Sequence, residues 1–407
     1  MSVIPFISAA KIAGLSTTTF SALKTTSIAA LATTQVAVLT AAQVNALTST
    51  DLQYLVVTQV QALSSTTMGG LIEAQIQAFT DTQIGELTST QVSALNAAEI
   101  GALSSTELQN LSTTQASALS AAQIGTLSTT VLNNLTTTQV AALTPTQVQG
   151  LTASQINALS TDHLNVLDVT SLDTDQAAGL STTAIGDLTA TQVAALPAAE
   201  IAALDASQIA QLTTTELQNL STTQASALTA TQISTLSTTV LNNLTTAQVA
   251  ALTSTQIQGL YWTQLNNLSL GNLNALDAAK LLPVQVVGLT TTTITNLTST
   301  QVGALTAAEI GALTVAGVNS LSTNEIAALT TTQAGGFTSD QIAGMTTTNF
   351  SALSSTSGIP GLNTDAIAGL TTEEIDSLST TQGHAFLASQ IAAMSLDIAA
   401  ELAALIA

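Results

Sequence analysis

Cysteine is absent from all 407 residues, and Lys and Arg together number three: Lys11, Lys24 and Lys280. Without cysteine there is no disulfide and no thiolate metal site. Without cations to neutralise phosphate, nucleic acid and anionic lipid are excluded as partners, the more so at a formal net charge of −21. Charged residues make 7% and aromatics 2% of the chain, against roughly 25% charged in ordinary domains. Long apolar runs are missing too, because Thr, Ser and Gln break them every few positions, so no membrane span is expected. Nor does "MSVIPFISAAKIAGL" read as a signal peptide, having neither a cationic start nor a long apolar core. Yet 46% of the residues are hydrophobic, too many for a chain that stays disordered. A long, thin core is the expectation.

What the chain does have is a period. "LTTTQVAALTPTQVQGLTASQINAL" (135–159) repeats one eight-residue pattern three times. Leu anchors recur every eight residues from Leu15 to Leu167, slip by five to Leu172, and run in octads to Leu276. A second slip of five reaches Leu281, octads continue to Leu353, and a nine-residue step to Leu362 precedes the last octads, which end at Met394. Phe79, Phe337, Phe386, Met345 and Met394 replace Leu at the anchor, as a buried apolar slot allows. "TELQNLSTTQASAL" begins at Thr106 and again at Thr215, 109 residues on, the same distance that separates the two slips. Blocks of octads have been duplicated whole. The reading divides the chain into an N-terminal cap or assembly segment (1–14), an octad solenoid (15–394) with slips near 167–172, 276–281 and 353–362, and a C-terminal helix (395–407).

Each octad reads as a short helix. Thr or Ser follows the anchor and Gln or Glu lies three residues further, the spacing of a capping box. Pro145 and Pro283 fall at the first helical position, where a fixed φ suits a helix start and a missing N–H costs nothing. Of the 24 acids, 19 lie at the cap or in the first turn, where the helix dipole favours negative charge. Val or Ile stands three before the next anchor, on the same helical face. A continuous helix would drift by about 80° per octad, so no single face would hold. The expected architecture is therefore all-α: a solenoid of helices of about two turns, two or more octads to a coil, each helix turning a corner at its anchor. Small residues before the anchor (Ala, Gly, Asn) would let backbones approach. A β-solenoid with rows of Thr is the alternative, disfavoured because apolar spacings of three and five do not alternate.

Candidate sites are few. His163 and His384 are the only histidines; neither has partners for zinc, and His163, in the Gln slot, reads as a surface imidazole. Asp162, Asp168, Asp173 and Asp175 gather near the first slip and are candidates for calcium, but they lack EF-hand or nonapeptide spacing, and capping accounts for them. No cofactor is expected. Tyr261-Trp262, the only aromatic doublet, should face outward as a partner contact. There is no phosphate loop, nucleophile elbow or Ser/His/Asp set, so the chain does not read as an enzyme.

The "LTTTQVAAL" octad resembles the Thr/Ser/Ala/Gln-rich repeats of secreted proteobacterial surface proteins of the adhesin or haemagglutinin kind. That resemblance implies an extracellular or cell-surface location. "SLDIAAELAALIA" is similar to an uncleaved type I export signal, although the calcium nonapeptides of that class are missing. The expected role is structural, through self-assembly into a filament, surface layer or matrix fibre. The alternatives are an adhesin that binds a cell-surface glycan or protein, and an ice-binding protein.

Overall fold

Thr144 and the helix it starts show how an octad folds. In a computed structural model, which describes residues 4–407, the Thr144 side chain accepts from the Gln147 amide, and Gln147 Oε1 accepts from the Thr144 amide. The capping box is closed, with Pro145 at its first turn. The helix Pro145–Gly150 stops at Leu151, whose extended backbone (φ −70°, ψ 138°) turns the chain into the next cap. The pattern repeats in 48 α-helices and three 3₁₀ helices among the described residues, with no strand. The all-α reading stands. The β-solenoid does not, since no strand forms among the described residues. The repeated helices have four to six residues, shorter than the two turns expected, because cap, anchor and corner take the rest of each octad. Among the described residues no residue has a positive φ, so each corner is made by extended anchor backbone and not by a left-handed glycine.

So short a helix cannot persist alone in water; it is held by its neighbours in the stack. The chain divides after Gln211 into two compact units, Met1–Gln211 and Leu212–Ala407, within an unbroken run of octads. In each unit a helix packs on the third helix before it. Ala121–Thr126 meets Pro145–Gly150 in the first unit, and Ala230–Thr235 meets Ser254–Gly259 in the second. One coil is thus three octads. Its core is the Val/Ile slot and the anchor, as at Val148 (0% exposed) and Leu151 (3%).

The slips are coils with one short side. The 3₁₀ helix Val169–Ser171 packs between Pro145–Gly150 and Ala190–Ala195, and Ala278–Lys280 packs between Ser254–Gly259 and Ser299–Ala304. Each replaces a full octad by five residues without breaking the stack. An aspartate starts both: Asp168 accepts from the amide and hydroxyl of Thr170, and Asp277 from the amide of Ala279.

Small residues before the anchors allow backbone contact between coils. A Cβ on Gly150 would lie 2.5 Å from the Ala121 carbonyl oxygen, and one on Gly336 would lie 2.0 Å from that of Ala307. Asn in this region does more. Asn45 donates to the Gly70 carbonyl and accepts from the Ile72 amide, and Asn133, Asn157, Asn242, Asn266 and Asn319 tie their coils to the next in the same way.

Candidate functional site

The most elaborated chemistry of the chain is the Gln of the capping box. Its side chain is buried: Gln147, Gln256 and Gln341 are each 2% exposed. With Oε1 committed to the cap, Nε2 donates both hydrogens to the coil before. In Gln147 they reach the carbonyls of Ala116 (2.9 Å) and Leu119 (2.8 Å), 31 and 28 residues earlier. Gln91, Gln155, Gln248, Gln256, Gln341 and Gln390 repeat this arrangement. One amide therefore starts its own helix and joins it to the preceding coil. After a slip the reach shortens from 28 residues to 25, as from Gln176 to the Leu151 carbonyl, because that coil has lost three residues.

Other donors fill the same slot. His163 is buried, 9% exposed, and not on the surface as its sequence setting suggested. Its Nε2 donates to the Leu135 carbonyl at 2.7 Å, which leaves Nδ1 to accept from the Ser160 hydroxyl at 2.5 Å. Thr67 donates to the Leu39 carbonyl (2.7 Å), Ser357 to that of Leu329 (2.8 Å), and Lys280 Nζ to that of Leu252 (3.0 Å). Lys280 also pairs with Asp277 at 3.4 Å, the one ion pair among the described residues.

Acids in the slot lack the N–H donors. Asp51 is rescued by the coil before: burial raises its pKa, but hydrogen bonds from the Thr48 side chain, the Thr25 side chain and the Thr48 amide outweigh burial and lower it. Glu325 receives the Ser299 hydroxyl at 3.3 Å. Glu99, Glu200 and Glu374 each keep one buried carboxyl oxygen without a hydrogen-bond partner. Pro197 caps the helix of Glu200 and has no N–H to offer. Burial raises the pKa of Glu99 against the hydrogen bond from the Asn96 amide. Burial also pushes Glu374 up to about 7, against hydrogen bonds from the Thr371 amide and hydroxyl and with a small push from Glu373.

The acidic candidates do not come together as a metal site: no group of three or more His, Asp or Glu among the described residues is placed to hold an ion. Asp168 is engaged by Thr170 and the Ser171 hydroxyl, which lower its pKa. Asp173 caps its helix through the Gln176 amide, and Asp162 and Asp175 are exposed first-turn residues. His384 is exposed, with Nδ1 against the Thr380 carbonyl at 2.8 Å.

Tyr261 and Trp262 do face outward, 60% and 47% exposed. With Leu260 and Val284 they border a shallow, mostly apolar hollow of about 210 Å³. Trp262 lies over Gly288, where a Cβ would fall 2.3 Å from the indole Cγ. A larger open groove of about 520 Å³ runs past Ile72, Glu73, Gln77 and Asn96.

Sequence reasoning found the capping box but missed the clasp. The signal was present: a box accepts Gln and Glu alike, yet the slot holds 25 Gln and seven Glu, a preference that only a demand for N–H donors explains. No helix among the described residues is long and apolar enough to cross a membrane. Residues 316–347, which include the stretch "ALTTTQ", match the ALTTAQ repeat family. No curated protein matches the chain.

Proposed function

We propose that this chain is an extracellular structural repeat protein that assembles with copies of itself, by stacking subunit on subunit, into a filament, surface layer or matrix fibre. The Gln clasp is the observation that supports the reading. Within each unit it is a recurring interface between one coil and the next, built from backbone carbonyls and therefore indifferent to which octad supplies them. Solenoids of this kind end in coil faces that must be either capped or joined. Export to the cell surface, by a type I route, accords with the acidic, lysine-poor composition. Electron microscopy of the purified protein tests the proposal. Regular assemblies of stacked subunits are expected, and dispersed single particles in low salt, high salt and calcium alike would overturn it.

An adhesin is the second reading, favoured by the Tyr261–Trp262 hollow. Exposed aromatic faces beside a shallow pocket suit a sugar ring or a protein side chain. Trp262→Ala would then abolish adhesion to glycan or to cells while assemblies persist.

A further inference from the structure

Two neighbouring asparagines in one octad are used differently. In Asn133-Asn134 and Asn242-Asn243 the first Asn spans two coils. It donates to the carbonyl of Ala158 or Asn267 and accepts from the amide of Ser160 or Ser269. The side chain of the second, Asn134 or Asn243, makes no hydrogen bond to any described residue, and neither do those of Asn110, Asn219 and Asn296. Each of these lies directly before its anchor. The buried anchor Leu comes next, and then the Ser or Thr that caps the following helix: Ser112, Thr136, Ser221, Thr245 and Thr298. Asn267-Leu268-Ser269 has the same form, with one Asn267 amide hydrogen on the Thr263 carbonyl at 2.8 Å.

Asn-x-Ser/Thr, with x other than proline, is the acceptor signal for N-linked sugar. The octad produces it wherever Asn precedes an anchor, because a hydroxyl cap follows two residues on. The fold separates the copies that stand open from the one that does not. Asn110, Asn219, Asn267 and Asn296 are exposed, and Asn134 and Asn243 are half-buried. The helices Ser105–Asn110, Thr129–Asn134, Thr214–Asn219 and Thr238–Asn243 end on the Asn itself, where the chain turns through the extended anchor. A sugar on Nδ2 at such a corner displaces no clasp. The seventh copy, Asn349-Phe350-Ser351, is closed off. Asn349 fills the clasp slot, 5% exposed, and its Nδ2 donates to the carbonyls of Val318 (3.2 Å) and Leu321 (3.3 Å).

We propose that Asn110, Asn134, Asn219, Asn243, Asn267 and Asn296 are N-glycosylation sites of the folded chain, and that Asn349 is not. In the reaction Nδ2 bonds to the anomeric carbon of a sugar carried on a diphosphate. The bond from that carbon to the diphosphate oxygen breaks, the diphosphate leaves with the electron pair, and one amide proton passes to a base of the glycosyltransferase. Asn110 and Asn134 are 24 residues apart, as are Asn219, Asn243 and Asn267, one coil of three octads in each case. Ser105–Asn110 packs on Thr129–Asn134 in the first unit, and Thr214–Asn219 on Thr238–Asn243 in the second. Within each unit, sugars on these residues would stand one above another along one side of the stack.

The inference rests on the extracellular reading, and its test separates the two. The full chain is recovered from the medium and surface of its own cells, digested, and mapped by tandem mass spectrometry, which reads sugar at the residue that carries it. Sugar is expected on the six open asparagines and none on Asn349. Thr136→Asp and Ser221→Asp each keep a side chain able to cap the helix but remove the hydroxyl of the signal, so modification should be lost at Asn134 and Asn219 respectively and persist at the other sites. Thr136→Ser, which keeps both functions, should retain it. Asn134→Gln replaces Thr136→Asp if that variant fails to fold, and should lose the sugar at that site alone. Secreted chain with all six asparagines bare, sugar that persists on Asn134 in Thr136→Asp, or Asn349 modified as fully as the rest would overturn the inference and leave the extracellular reading in place. A chain confined to the cell interior would overturn both.

Discussion

Glu374→Gln should stabilise this protein above neutral pH and do little in acid. Glu374 is 2% exposed, its Oε2 accepts from the Thr371 amide and hydroxyl, and its Oε1 has no partner. In a Gln octad that position holds Nε2, donating to the coil before. An ionised carboxylate sets an acceptor where a donor is wanted, and burial raises its pKa from 4.5 to about 7. The folded chain therefore binds the proton more tightly than the unfolded chain. Stability is highest below pH 4.5, falls as pH rises toward about 7, and stays low above it. The full difference corresponds to about 3 kcal/mol. Two regained hydrogen bonds at about 1 kcal/mol each give about 2 kcal/mol, so a gain of about 2–3 kcal/mol at pH 8 is the expectation. A long repeat array need not unfold in one step, so the local readout is amide exchange of residues 371–378, with the melting temperature as a global check. At pH 8 the variant should exchange roughly thirtyfold or more slowly than the parent, and near pH 4.5 the two should agree. Equal protection at pH 8, or the same gain at both pH values, would show that Glu374 is held by something other than a missing donor.

The interior clasp and the close backbone contacts yield further expectations. Gln147→Leu removes a cap acceptor and two donors together, so denaturant titration should show a loss of about 2–4 kcal/mol; a loss below about 0.5 kcal/mol would reduce the clasp to packing. Gly336→Ala should cost more than about 2 kcal/mol, because its Cβ would meet the Ala307 carbonyl at 2.0 Å. Gly303→Ala, with nothing within 4 Å of the added carbon, should be neutral or stabilise by up to about 1 kcal/mol. Equal effects at the two glycines would argue against contact between successive coils.

Thr144-Pro145-Thr146-Gln147 was fully legible as a helix start, since a capping box and an N1 proline are local chemistry. The fate of Gln147 Nε2 was not, because its acceptors lie 28 and 31 residues away and only the stacking of every third helix brings them near. The number of octads per coil stayed open for the same reason: an eight-residue period fixes the unit and not how many close a turn. His163 reads as exposed from its polarity alone, whereas the slot selects N–H donors and buries them. Tyr261 and Trp262 were placed correctly on the surface, for their cap and first-turn positions face away from any core.

The clasp has a direction in time as well as in space. The clasping Gln residues donate to carbonyls already laid down 25 to 31 residues earlier, as Gln139 and Gln176 do, and not to chain still to come. During synthesis from the N-terminus, an emerging octad meets acceptors already in place. A nascent chain can thus add its coils in the order in which it is made, each closing its polar groups on the last, so that little unsatisfied backbone waits for distant sequence.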